Sequence, residues 1–252
     1  MVGAIRLSAI LRGFSRAPKW VPTADDVLAL VEVVPAEYRA AIWLGAGEGL
    51  RLGEVLGMED SPRCIDYEHQ EVHVVQQLRF HKVAYGGFYL APPKSGSVGD
   101  VDLDDQVAAV LADHVRDHPP ATVELPDITA GTPDPGKSPT RRHVALLFAD
   151  PWGRPIHDQR WSDMWRGWRK RAGWPDTGTF HSLRHYFATA LIAAHADPTD
   201  VQRALRHSSL RITLETYVHW WPKKNRRRNV VSTALRQAAE NRKRPPEHQD
   251  RI

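Results

Sequence analysis

The segment FHSLRHYFATAL, residues 180–191, combines an apolar helical stripe with a cluster of basic side chains. Its apolar residues recur at helical spacing, and His181, Arg184 and His185 fall on the adjoining face at positions i, i+3 and i+4. Cationic groups this close repel one another, so the cluster needs an anion. A metal ion is the alternative, because the two histidines are four residues apart, but no Glu or Cys joins them and Arg184 would lie beside the cation. The segment therefore indicates an anion-binding helix face.

Downstream, residues 198–220 (PTDVQRALRHSSLRITLETYVHW) predict two short helices joined by a turn. His207 lies in that turn, and Tyr217 projects from the second helix. A single tyrosine on a helix is most often a core residue whose hydroxyl finds a hydrogen-bond partner. Taken alone, Tyr217 would be interpreted in that way.

The composition is that of an ordinary folded chain with a basic bias. With 252 residues, 42% hydrophobic and 25% charged, it can bury a core and predicts one large domain or two small ones. The net charge of +4 includes the runs KKNRRR (223–228) and NRKR (241–244), which favour a polyanionic partner but equally fit a solvated tail. Cys64 is the only cysteine, which excludes a disulfide framework or a zinc ribbon and indicates a reducing, cytoplasmic setting. No uncharged apolar run reaches about 18 residues, so no membrane span is predicted.

The first part of the chain reads as helical. Thr23 is placed to cap a helix with acidic residues in its first turn, and a folded domain is expected to start there. A second helix over 36–46 is expected to be broken by the glycines of 45–49. Helical spacing then resumes, with Arg51 and Glu54, three residues apart, on one face.

The middle of the chain changes to a period of two. Residues 71–80, 86–93 and 97–103 predict three short strands, with Lys94 at the tip of the hairpin between the last two. Residues 118–142 are dense in Pro, Gly and Thr and predict a long surface loop.

Two further patterns have structural interpretations. Trp161, Trp165 and Trp168 recur at helical spacing and predict a core stripe. GTPDPGKS, residues 131–138, formally matches a phosphate-binding loop. Its prolines remove the backbone N–H donors such a loop needs, and no apolar helix follows, so a nucleotide site is not expected.

Read together, the polar residues resemble the catalytic domain of the tyrosine recombinase, or phage integrase, family. The matching side chains occur in the family's order and each in its expected local setting: Arg51, Lys94, His181, Arg184, His207 and Tyr217. The resemblance runs from about Trp20 to about Trp221. It implies an α+β fold, mainly α-helical, with a small three-stranded antiparallel sheet near residues 70–103.

The resemblance also implies a reaction. Tyr217 would attack a DNA phosphodiester, leaving a 3'-phosphotyrosyl bond and a free 5'-hydroxyl, with no metal and no nucleotide cofactor. Arg51 and Arg184 would neutralise the phosphorane, because the planar guanidinium meets two phosphate oxygens at once. Lys94 would be the general acid, and His181 would assist proton transfer near the nucleophile. The cations should be partly solvated and mobile until DNA binds.

The remaining residues have supporting or uncertain roles under the same resemblance. His207 would donate to a nonbridging oxygen, Glu54 would orient neighbouring groups, and His185 would support the arginine without a direct chemical task. The family usually has Leu-Gly-His where this chain has Leu-Arg-His. Glycine there permits a positive-φ turn, so Arg206 is expected either to distort the placement of the histidine or to add a phosphate contact. His195 likewise replaces a common loop glycine.

The resemblance divides the chain into three parts. These are an N-terminal stub or linker (1–20), the catalytic domain (21–225) and a basic C-terminal tail (226–252). Family members normally carry a helical core-binding domain before the catalytic one, and the stub is too short to form it, so a truncated product or a standalone catalytic domain is expected.

The expected partner is double-stranded DNA, with four protomers assembling on two duplexes. Two alternatives stay open from the sequence. One is a DNA-binding protein without strand-transfer activity, because residues 199–218 resemble a helix-turn-helix. The other is a truncated or decayed integrase that folds but no longer recombines DNA.

Overall fold

A computed structural model of the protein describes residues 20–133, 137–222 and 230–243. Its helices, in chain order, are α1 (Ala24–Val33), α2 (Ala36–Gly47), α3 (Leu52–Leu56), α4 (Lys82–Tyr85), α5 (Asp105–Asp117), α6 (Asp158–Arg171), α7 (His181–Ala193), α8 (Pro198–Ala204), α9 (Leu210–Tyr217) and α10 (Val230–Lys243). Its strands are β1 (Ile65–Asp66), β2 (Glu71–Val74), β3 (Gln77–His81), β4 (Gly87–Ala91), β5 (Gly99–Asp102), β6 (Ala121–Asp127) and β7 (Thr140–Leu146). Across these ranges, every helix falls short of the length and apolar character needed to span a bilayer.

The strands form two sheets rather than one. The three-stranded antiparallel sheet expected near residues 70–103 is present, in the order β1-β2-β5. The second sheet has the order β3-β4-β6-β7, in which only the β4–β6 pairing is parallel. The α+β class is therefore confirmed, with a second sheet that the sequence did not indicate.

The predicted strand over 71–80 is wrong as a single element, because it divides between the two sheets. The division falls at Gln76, which is buried. The Gln76 side-chain amide donates to the carbonyl of Gly57 and its oxygen accepts from Arg142. The alternation of buried and partly buried residues continues through this position, so the pattern alone hides the break.

The predicted hairpin around Lys94 is also wrong. Its two strands, β4 and β5, belong to different sheets, and Lys94 begins a 3-10 turn (Lys94–Gly96) that crosses between them. Ser95 and Gly96 both adopt positive φ in this turn. Lys94 therefore lies on an exposed crossing between the sheets.

The long surface loop expected over 118–142 is wrong as well. Residues 121–127 and 140–142 of it belong to the antiparallel β6–β7 pair, which runs in register from Ala121 opposite Leu146 to Asp127 opposite Thr140. Polar residues on the outward positions mask the alternation. An ion pair of Arg142 with Asp127 joins the two strands, and a second with Glu59 holds the pair to the body. Of the phosphate-loop-like segment 131–138, residues 131–133 follow β6 and residues 137–138 precede β7, and residues 134–136 are outside the described residues.

The helical predictions are largely confirmed. Thr23 caps α1 through a reciprocal pair of hydrogen bonds with Asp26. The break expected at 45–49 comes only at Gly49, since α2 continues through the earlier glycines. A Cβ on Gly45 would lie 2.8 Å from Phe180, and one on Gly47 would lie 2.5 Å from Val107. These glycines allow α2 to pack closely on its neighbours.

The predicted tryptophan stripe is core. Trp161, Trp165 and Trp168 of α6 are all buried, and the first and last contact each other edge to face with ring centroids 5.4 Å apart. Trp161 also meets Phe180, the residue just before α7. The stripe therefore fixes the start of α7, where the basic cluster begins.

Residues 221–252 form a separate unit. Within it, residues 230–243 are helical, so the predicted basic tail contains a helix. The KKNRRR run at 223–228, Arg244, and residues 1–19 of the predicted N-terminal stub lie outside the described residues.

Candidate active site

Arg184 is the most enclosed member of the basic cluster, with 1% of its surface exposed. From the first turn of α7, its Nη1 donates to the carbonyl of Gly49 and its Nη2 to the carbonyl of Leu205. Burial, and then the charge of Arg51, lower the pKa of Arg184 to about 9, which leaves it protonated at neutral pH. The expectation of solvated, mobile cations is therefore wrong for Arg184, because two backbone carbonyls already bind its guanidinium.

Gly49 makes this arrangement possible. Its φ of +62° ends α2, and a Cβ there would lie 2.4 Å from the ring of Phe187. Only glycine combines that backbone conformation with such close approach of α7. The carbonyl that Arg184 binds thus comes from a turn that another residue would strain.

Arg51 precedes α3 and is fixed by two side chains. Its Nη1 donates to Glu54 Oε1 at 2.7 Å and to Ser97 Oγ at 2.8 Å, while its backbone N–H donates to Glu54 Oε2 at 2.8 Å. Glu54 is buried, whereas the Arg51 side chain stays 24% exposed. Ser97 follows the turn that begins at Lys94, so this contact connects the Lys94 turn to Arg51.

His207 lies close to both arginines. Burial and then the charges of Arg184 and Arg51 lower its pKa to about 4, so the ring is neutral at physiological pH. Its Nδ1 is 2.9 Å from Thr213 Oγ1, a hydrogen bond that orients the imidazole. The preceding residue, Arg206, has a φ of +51°, as expected for a position where the family has glycine.

The two roles expected of Arg206 stay predictions, and the structure shows a further contact of its side chain. His207 keeps an ordered hydrogen bond, and the Arg206 side chain turns inward, with Nη2 2.7 Å from Glu54 Oε2. That side chain is only 4% exposed, and its carboxylate partner is enclosed with it. His195, the other replaced glycine, also has positive φ, at 67°.

Tyr217 ends α9 and is 2% exposed. Its hydroxyl is 2.8 Å from His185 Nδ1, and the His185 ring also meets His181, with centroids 4.7 Å apart. Burial raises the pKa of Tyr217 to about 12, against the opposing effect of the Arg184 charge. The phenol is therefore protonated and shielded, and His185 contacts it directly, which the sequence interpretation did not foresee.

The structure thus brings together most of the predicted set. Five of its side chains converge on one cluster: Arg51, His181, Arg184, His207 and Tyr217. Glu54 and His185 each contact a member of it. Sequence reasoning missed Ser97 and Thr213, for which no motif exists. Lys94 lies on the exposed turn beside them.

A possible metal group lies elsewhere. Among the described residues, the His and carboxylate side chains close enough to share an ion are Glu71, His73 and Asp100, all on β2 and β5. His181 and His185 belong to no such group in this part of the chain. The cluster's donors are guanidinium and imidazole groups, a set suited to an anion.

Glu48, beside this cluster at the end of α2, should make stability depend on pH. Burial raises its pKa from 4.5 to about 7, and a hydrogen bond from the Asp104 backbone N–H opposes that rise. Between those values the folded protein holds a proton that the unfolded chain has lost, so stability should fall as pH rises, by at most ~3 kcal/mol.

Urea unfolding of wild type and Glu48→Gln from pH 4.5 to 7.5 measures this effect. We expect Glu48→Gln to remove the decline, because the amide oxygen still accepts from Asp104 but cannot ionise. The exposed Glu32→Gln is the matched control and should keep the wild-type slope. Parallel slopes for wild type and Glu48→Gln would contradict the prediction.

The geometry describes a convergent cationic cluster beside a buried tyrosine, within a mainly helical α+β domain. The model for the Phage integrase family matches residues 22–224. The chain therefore belongs to the phage integrase family.

Individual relatives agree with this assignment. The chain is 24% identical over 217 residues to the tyrosine recombinase XerC-like protein of Caldanaerobacter subterraneus subsp. tengcongensis, covering 83% of this chain and 52% of the relative. It thus spans about half the length of that protein. A Tn1549 transposon integrase, solved in complex with a circular intermediate DNA, aligns with a TM-score of 0.65 and 20% identity over 88% of this chain and 67% of that one. A lambda integrase dimer bound to a core site gives 0.55 and 16% over 84% and 53%. These two structural likenesses show the fold.

Proposed function

We propose that this chain is the catalytic domain of a site-specific DNA recombinase that cleaves and rejoins strands through a 3'-phosphotyrosyl intermediate. The observation that carries the proposal is the convergence of Arg51, Arg184 and His207 with Tyr217, from four separate segments, in one cluster. A protein that only binds DNA has no need to pair such a cluster with a buried tyrosine. The membership of the phage integrase family supports the same conclusion.

In the proposed reaction, the Tyr217 oxygen forms a bond to phosphorus as the bond from phosphorus to the 5'-oxygen breaks. Arg51 and Arg184 donate to the nonbridging oxygens, with His207 as a third donor. Each preorganised donor of this kind supplies roughly 3 to 4 kcal/mol of transition-state stabilisation. The chain's own side chains thus provide the positive charge that the phosphorane needs.

Two protons must move in this step. The phenol loses one, with His181 assisting, and the departing 5'-oxygen gains one from Lys94 on the exposed turn. Tyr217 is buried against His185, so a phosphodiester cannot reach its oxygen in this arrangement. We therefore expect α9 to shift when DNA binds, exchanging the His185 hydrogen bond for the phosphate.

Double-stranded DNA is the proposed partner, and four protomers on two duplexes the proposed assembly. The DNA complexes solved for the Tn1549 and lambda integrases support DNA as partner. We retain the boundaries 21–225 for the catalytic domain and 226–252 for a basic tail as part of this proposal, together with a cytoplasmic location.

A library of nicked duplexes with randomised sequence tests the proposal, because a nick near the cleaved bond lets the short 5' fragment diffuse away and traps the intermediate. We expect an adduct that survives denaturation, forms equally in EDTA, and yields a nucleotide-linked peptide containing Tyr217. Linkage through another residue, a requirement for a divalent metal, or no adduct from the whole library would overturn the proposal.

A further inference from the structure

Arg206 is a buried cation in a backbone conformation that favours glycine. Its φ is +51°, and its side chain is 4% exposed. The aliphatic part packs over β5, where a Cβ on Gly99 would lie 3.3 Å from Arg206 Cδ. The chain therefore keeps a strained, enclosed arginine where a glycine would satisfy the backbone, which points to a task for the side chain.

That side chain has one hydrogen-bond partner among the described residues. Nη2 donates to Glu54 Oε2 at 2.7 Å, whereas Nε and Nη1 are buried and unbonded within the described part of the chain. A buried guanidinium with so few partners depends strongly on the one carboxylate it meets. The Arg206–Glu54 contact is thus the dominant polar interaction at this position.

Glu54 contacts both Arg206 and Arg51. Its Oε1 accepts from Arg51 Nη1 and its Oε2 from both the Arg51 backbone N–H and Arg206 Nη2. Removing Arg206 would leave a carboxylate that is 1% exposed with Arg51 as its single counter-charge, held among the described residues by the two Arg51 N–H groups. The orientation of the Arg51 guanidinium therefore depends on Arg206 through one shared carboxylate.

We propose that Arg206 is a positioning residue that, through Glu54, holds Arg51 in its phosphate-binding orientation before DNA arrives. This inference rests on the proposed function, since it takes a phosphate as the ligand of Arg51. It assigns the Arg206 side chain to Glu54, which it contacts, and leaves the phosphate to Arg51.

Inorganic phosphate is the probe, so the test needs no cleavage site. Titration at pH 7 is followed by the NMR signal of the His207 ring, assigned with His207→Gln. Arg206→Met keeps an unbranched aliphatic side chain against Gly99 and the same backbone conformation but removes the charge. We expect it to weaken phosphate binding about tenfold, within the range seen for contacting charged groups, and Arg206→Lys to restore most of that loss.

A double-mutant cycle with Glu54→Gln separates positioning from a general structural effect. If Arg206 acts through Glu54, Arg206→Met should weaken phosphate binding by less than about twofold in the Glu54→Gln background. An equal loss in both backgrounds would overturn the proposal, as would Arg206→Lys binding no better than Arg206→Met. Absence of phosphate binding by wild type would overturn it too.

Failure of the positioning role of Arg206 can be distinguished from failure of the proposed function. The phosphate titration reports Arg51 placement whether or not the protein cleaves DNA, whereas the adduct assay reports cleavage. Unfolding curves of each variant set the temperature at which all are folded, so that a loss of stability does not enter the comparison.

Discussion

Tyr217→Phe should form no covalent adduct with any nicked duplex that wild type cleaves. A phenyl ring has no oxygen to attack phosphorus, and no other side chain of the cluster forms the same 3'-phosphotyrosyl bond. The fold should survive, because the ring fills the same volume and only the hydrogen bond to His185 Nδ1 is lost, at a cost of about 1 kcal/mol. Adduct yield on a denaturing gel, with duplex binding measured by fluorescence anisotropy, separates the two effects.

Tyr38→Phe is the matched control. Tyr38 is also buried and its hydroxyl also has a hydrogen-bond partner, the carbonyl of Ala149, but it lies under the tryptophan stripe of α6. It should keep wild-type adduct yield. Adduct persisting in Tyr217→Phe, or lost equally in both variants, would contradict the assignment of Tyr217 as nucleophile.

Features set by local sequence were predictable. The Thr23 cap needs only four consecutive residues, and the tryptophan stripe needs only the helical period, so both are readable without a structure. The polar set could be proposed because the order of Arg51 to Tyr217 resembles a family. Its convergence in space was not a consequence of any local rule.

Features set by long-range contacts were not predictable. In the sequence, the β6–β7 pair looks like a loop because its outward residues are polar. The contact that attaches it, from Arg142 to Glu59, joins residues far apart in the chain. The Arg206–Glu54 pair joins positions 152 residues apart. Arg184 is buried where it donates to the carbonyl of Gly49. No pattern in the sequence of α7 indicates that contact.

Among variants that keep Tyr217, those of Arg184 should show the largest loss of adduct formation. Arg184→Ala removes a proposed phosphate donor and leaves the carbonyls of Gly49 and Leu205 without its two hydrogen bonds in an enclosed site. We expect about 3 kcal/mol or more of lost stability and roughly a thousandfold slower adduct formation. Arg184→Lys should be more stable than Arg184→Ala, yet still at least about a hundredfold slow, because one ammonium cannot replace the planar fork.

The two roles of Arg184 can be told apart with Arg142. That arginine also contacts the buried Glu59 and Gln76 and the partly buried Asp127, but belongs to the β6–β7 attachment and not to the cluster. Arg142→Ala should therefore lose stability on a similar scale while each folded molecule keeps the wild-type rate of single-turnover cleavage. Equal rates per folded molecule for Arg142→Ala and Arg184→Ala would mean that Arg184 acts only on the fold. A rate deficit confined to Arg184 variants, at a temperature where all are folded, would place its guanidinium at the reacting phosphate.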